Sequence, residues 1–135
     1  MGAMKISGSG VARPPVTGDG SSEHRVLVCG GRGFTQMRWL TRVLDDLDPK
    51  PTLIIQGGGF GADACASEWA YKRDVLERQF PADWKKLGRA AGPIRNQQML
   101  DEGRPDLVVA FPGGDGTADM VRRAKAAGVR VIEVQ

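Results

Sequence analysis

Three glycine-rich turns, each set directly after an apolar run, are where this chain could do chemistry. Gly30-Gly31-Arg32-Gly33 follows Arg25-Val26-Leu27-Val28-Cys29, and Gly57-Gly58-Gly59-Phe60-Gly61 follows Thr52-Leu53-Ile54-Ile55-Gln56. Pro112-Gly113-Gly114-Asp115-Gly116-Thr117 follows Leu107-Val108-Val109-Ala110-Phe111. A glycine turn leading from a strand into a helix lets the backbone approach a phosphate, and the helix N-terminus presents free N–H groups to it. Backbone amides of Gly30, Gly31, Gly113, Gly114 and Gly116, with Thr117, are the candidate phosphate contacts. Gly57, Gly58 and Gly61 belong to the same candidate binding surface. One such turn would read as a tight turn and nothing more. Three in one small chain, all after strands, favour a ligand.

Charge is available nearby. Arg32 lies inside the first turn. Trp84-Lys85-Lys86, Arg89 and Arg95-Asn96 fall in a stretch with weak periodicity, and a long irregular segment in a small domain is usually functional. Arginine and lysine there suit phosphate or carboxylate groups. The bland reading is a solvated basic loop with Trp84 as an apolar plug. Asp63 or Asn96 is placed to read a ribose or a base, and Asp63 reads equally well as a helix cap.

The elements that must position these residues alternate in type. Strands are predicted over residues 25–30, 52–56, 75–80, 106–111 and 129–134. Helices are predicted over 36–47, 62–73, 93–101 and 117–127. Met37, Leu40, Val43, Leu44 and Leu47 keep helical spacing, as do Met120, Val121 and Ala124. Residues 81–92 read as irregular, Pro93 as an early helix position and Gly128 as a C-terminal cap. Short apolar strands alternating with helices predict an α/β fold with a doubly wound, parallel, five-stranded sheet, order 3-2-1-4-5. That order puts the switch point between strands one and four, which the first and third glycine turns follow.

Several chemistries are disfavoured. Gln36 stands where a dinucleotide-binding fingerprint needs its third glycine, and Gln56 replaces the acid at the end of strand two. No turn carries Gly-Lys-Ser/Thr, no His/Cys cluster has zinc spacing, and no Gly-x-Ser-x-Gly elbow is present. No metal or cofactor is therefore expected. His24 has no partner pattern around it that would suit catalysis.

The bulk numbers agree with one soluble domain. The chain has 135 residues, enough for one core and not two. Net charge is +3, from 19 basic and 16 acidic residues, which does not call for nucleic acid as a partner. No apolar run is long enough to span a membrane. Cys29 and Cys65 read as buried thiols, which fits a cytoplasmic location. Residues 1–23 read as a flexible tail, partly cloning-derived at Met1-Gly2-Ala3-Met4, with Gly, Ser and Pro through Ser22. A hairpin arm or partner-binding segment is the alternative there. Residues 24–135 form the domain.

The motifs together resemble the SLOG superfamily, in the branch of small YspA/YpsA-related proteins. The resemblance rests on Val26–Gly33, Gln56–Asp63, Pro81–Trp84, Gly88–Asn96 and Phe111–Thr117, and extends over essentially all of 24–135. It implies a Rossmann-like sheet that binds nucleotides or nucleotide-derived ligands, in a homo-oligomer. Better-known relatives are the Lonely Guy phosphoribohydrolases, which cleave the N-glycosidic bond of a nucleoside monophosphate, and DprA, which binds single-stranded DNA. Pro112–Thr117 matches the Lonely Guy Pro-Gly-Gly-x-Gly-Thr turn, and Arg95 falls where those enzymes carry a catalytic arginine. Their glutamate, three residues after the threonine, is Met120 here. Asp119 precedes it and points about 100° away on a helix. Glycosidic cleavage needs a carboxylate, and Asp63, Asp115 and Asp119 are the ones open to that role. The first expectation is thus a module that binds a nucleotide-derived ligand. The alternative is an N-glycosidic hydrolase using Arg95 and Asp119. Single-stranded DNA binding ranks last, since no aromatic stripe accompanies the modest charge.

Overall fold

Short, continuous apolar runs on the central strands set the architecture. The computed structural model describes residues 23–135. The expected tail at 1–23 lies outside the described residues except for Glu23. Chain order is β1 (Arg25–Cys29), α1 (Met37–Asp45), β2 (Leu53–Gln56), α2 (Ala62–Arg73), β3 (Leu76–Gln79), α3 (Trp84–Leu87), α4 (Ala91–Gln98), β4 (Leu107–Ala110), α5 (Asp115–Ala126) and β5 (Arg130–Glu133).

The strands form one parallel sheet in the order β3-β2-β1-β4-β5. This is the α/β, Rossmann-like arrangement that the alternation predicts. β1 sits centrally, with Val26 opposite Ile54 of β2 and Leu107 of β4. Because side chains alternate faces, the sheet divides the core in two. Val26, Val28, Ile54, Leu107 and Val109 pack against Leu40, Leu44, Ala66 and Trp69 of α1 and α2. Leu27, Ile55, Val108 and Ala110 pack against Met99, Leu100, Met120, Val121 and Ala124 on the other face. The central strands are buried on both sides, as covered parallel sheets require, while β3 is an exposed edge.

α1 and α2 are tied by Asp45. Its carboxylate accepts from the Trp69 indole at 3.0 Å and from Arg73 at 2.7 and 3.0 Å. His24 is buried before β1, with its Nδ1 2.7 Å from the Pro49 carbonyl oxygen. It lies at the end of the strand opposite the glycine turns.

Most differences from the sequence expectation fall between β3 and β4. The stretch 81–92 is not irregular. It holds α3, a 3-10 turn over Gly88–Ala90, and the start of α4 at Ala91. Asp83 caps α3 by accepting the Lys86 amide at 3.1 Å, and Gly88 ends it at φ +58°. Pro93 is therefore the third residue of its helix, and α4 passes into a π-helical turn over Met99–Gly103. α5 begins at Asp115, two residues early, because Gly114 takes the N-cap. Cys29 is buried, but Cys65 is only partly so, and both thiols are free. Among the described residues no helix is long and apolar enough to cross a membrane.

Candidate functional site

All the strands run parallel, so the turns after β1, β2 and β4 meet at one edge of the sheet. They are joined at Gly31. Its amide donates to the Pro112 carbonyl at 2.8 Å, and its own carbonyl accepts from Ala62 and Phe34, both at 3.2 Å. The contacts are so close that side chains are excluded. A Cβ at Gly61, where φ is +72°, would run into the Gly31 carbonyl, and one at Gly113 would strike the Thr117 hydroxyl and the Gly31 amide. A Cβ at Gly30 would come within 2.6 Å of the Ala62 methyl.

Over this knot lies a cleft of about 730 Å³. Most residues singled out from the sequence line it; Lys85 and Lys86 do not, nor do Gly61 and Gly113, which hold the turns together from behind. Gly31 lines it too, but its N–H is already engaged by Pro112 and is not free for a phosphate. The stronger donor set is the start of α5. No side chain caps that helix, and its first internal bond is Ala118 N–H to Gly114. The amides of Asp115, Gly116 and Thr117 therefore have no partner within the helix, and the positive end of the dipole faces the cleft.

Arg95 is held by backbone. Its Nη1 donates to the Gly57 carbonyl at 2.7 Å and reaches the Phe80 carbonyl at 3.4 Å, while its Nε donates to Asn96 Oδ1 at 3.1 Å. Asn96 is buried and fully engaged. Its Nδ2 donates to the Gly116 carbonyl at 3.2 Å and to Asp119 Oδ2 at 3.0 Å. Asp119 is in turn bound by Arg123 at 2.8 Å and Arg122 at 3.0 Å. A polar chain thus runs from α5 through α4 to the turn after β2. Asn96 fixes the guanidinium of Arg95 and has no donor left for a ribose or base.

Two of the three carboxylates weighed for catalysis are shifted in opposite directions. Burial opposes the ionisation of Asp119, but hydrogen bonds from Asn96 and Arg123, with the charges of Arg123 and Arg122, outweigh it and hold the carboxyl below the ordinary range. Asp119 is a locked anion. Asp63 is the opposite. Burial pushes its carboxyl up, against the pull of the Gly59 and Gly57 amides, Arg95 and Arg32. Its Oδ2 accepts the Gly59 amide at 3.0 Å, so it braces the turn and does not cap α2, whose N-cap is Gly61. Asp115 lines the cleft in the first turn of α5. Beneath, burial and the nearby Asp63 charge push the Cys29 thiol up to about 12, against the pull of Arg95, so it is inert at neutral pH. Met120, at the position of the resemblance's glutamate, is 1% exposed and lines the floor with a group that carries no proton.

The walls hold residues that the sequence reading did not select as ligands. Phe60 and Trp84 line the cleft while exposed, and Met99 and Ala82 complete the apolar part. Arg32 stands over the Trp84 ring at 5.8 Å from its centroid. A glycine turn interrupted by Phe60, and Asp83 three residues before the Lys86 amide it caps, were the available signals.

A family model for the YspA, cpYpsA-related SLOG family matches residues 24–87. A curated protein of Mycobacterium phage D29, "Gene 61 protein", is 35% identical over 118 residues, covering 80% of this chain and 94% of its own. The chain belongs to the YspA/YpsA-related SLOG family. The family match takes in β1 through α3, and so Arg32, Asp63 and Trp84. Arg89, Arg95, Asn96 and the turn at 112–117 lie beyond it. No solved structure matches this SLOG chain.

Proposed function

We propose that this SLOG domain binds a nucleotide or nucleotide-derived ligand at the switch point of its sheet. The observation that carries the reading is the uncapped start of α5 opening into a cleft that also holds Arg32, Arg89 and Arg95. Free amides and guanidinium groups converging on one enclosure suit a phosphate. Asp63, held by Gly59 at one oxygen, supports a sugar hydroxyl at the other. Native mass spectrometry of protein stripped of carried-over ligand, followed by calorimetry against a nucleotide panel, tests this. Binding weakened by Arg89→Ala is expected. No binding across the panel would overturn it.

A second reading, hydrolysis of a nucleotide N-glycosidic bond, is favoured by one feature. Asp63 is the cleft carboxyl that burial shifts toward holding its proton, as a general acid must. In that reaction the C–N bond breaks, the base leaves with the proton from Asp63, and water adds its oxygen to the anomeric carbon while its released proton returns to the Asp63 carboxylate. Release of free base from nucleoside monophosphates, lost in both Asp63→Asn and Arg95→Ala, is the expected result. Base release that survives Asp63→Asn would sink the assignment of the acid.

A further inference from the structure

Trp84 is not the apolar plug that its surroundings in the sequence suggest. A plug is covered, and this residue is 48% exposed while lining the cleft. Nor is it loosely held. The four-residue helix that carries it is pinned by Asp83 at its start. The far edge of the indole rests on Gly92, where even a Cβ would approach Cη2 to 3.1 Å. Arg32 reaches over from the turn after β1 and forms no salt bridge among the described residues. A large aromatic surface is thus fixed in place, half in water, with a guanidinium beside it that forms no salt bridge among the described residues. Indole faces of this kind bind flat π-systems, and the contact is tolerant of ring identity because every base has a π-face.

We infer that Trp84, assisted by Arg32, is the stacking platform for a heteroaromatic base, so that the ligand is a nucleoside phosphate with its base still attached. The inference rests on the nucleotide reading above and divides the cleft into two ends. The phosphate end is the start of α5. The base end is Trp84, backed by Gly92, and exposed Phe60 also lines the cleft. Overlap with an indole is larger for a two-ring base, so purines are preferred to pyrimidines.

The test compares AMP with ribose 5-phosphate, which keeps the sugar and phosphate and lacks the base. Wild type, Trp84→Phe and Trp84→Ala are titrated with both by calorimetry, after circular dichroism confirms the fold of each. Ribose 5-phosphate is expected to bind all three alike. AMP is expected to bind wild type more tightly than ribose 5-phosphate does, and to lose about tenfold or more in Trp84→Ala. Trp84→Phe keeps a ring and retains most of the affinity, and tighter binding of AMP than of CMP by wild type gives the purine preference. AMP also quenches tryptophan emission in wild type and not in Trp84→Phe, since Trp69 is buried and Trp39, packed against the core, does not line the cleft. AMP affinity unchanged in Trp84→Ala overturns the platform, and so does AMP binding no tighter than ribose 5-phosphate in wild type. Either result leaves the phosphate end standing if ribose 5-phosphate binds. Failure of both ligands to bind wild type overturns this inference and the nucleotide reading together.

Discussion

Asp63 shows best how residue type and surroundings combine. Its sequence context, Gly-Ala-Asp after a glycine turn, marks it as a cap or a ligand contact. The structure makes it a brace for Gly59, in a place where water is scarce enough to raise its carboxyl. A raised carboxyl binds its proton at a higher pH folded than unfolded. Between those two titrations the folded state holds more protons, so stability falls as pH rises through the window. Asp63→Asn removes the titration and keeps an acceptor for the Gly59 amide. The variant is expected to melt above wild type at neutral pH, with the gap closing as pH drops below the ordinary aspartate range. Thermal melts at several pH values check this, and a gap independent of pH would refute it. Asp119 was equally visible in the sequence, but its state was not. Its partners Asn96, Arg122 and Arg123 come from two helices, and no spacing rule predicts that a residue of α4 donates to α5.

At the scale of elements, the glycines separate into two kinds that look alike in the sequence. Gly61 and Gly113 close-pack one turn on another, whereas Gly116 has nothing within 4 Å of where a Cβ would stand. Gly61→Ala meets both a backbone clash and a left-handed φ, and is expected to cost about 3 kcal/mol or more. Gly116→Ala sits in the first turn of α5 and is expected to change stability by about 1 kcal/mol at most. Urea unfolding of the two variants distinguishes them, and equal costs would refute the division. The central strands were legible as continuous apolar runs ahead of glycine turns, and α1 because its apolar residues keep helical spacing. α3 was not, since four residues cannot show a period. Its one signal was the Asp83 cap, and that missing element carries Trp84.

At the scale of the whole molecule, the sheet order was legible without any contact being known. Alternation of type, right-handed crossovers and the burial of the central strands leave few arrangements, and β3-β2-β1-β4-β5 is among them. The same logic located the cleft, because the turns after β1 and β4 diverge at the switch point. What it could not reveal is the junction at Gly31, which engages Pro112 and Ala62 across long stretches of chain. That junction ties the cleft to contacts of high sequence separation. The floor of the cleft draws on residues near 31, 61 and 112, so no fragment holding only one or two of the turns contains it. A small molecule seated there would recognise only the completed sheet, and would draw partly unfolded chains toward it by mass action. Occupancy of the cleft would thereby act as a chaperone for the chain, rescuing weakened variants in proportion to ligand concentration.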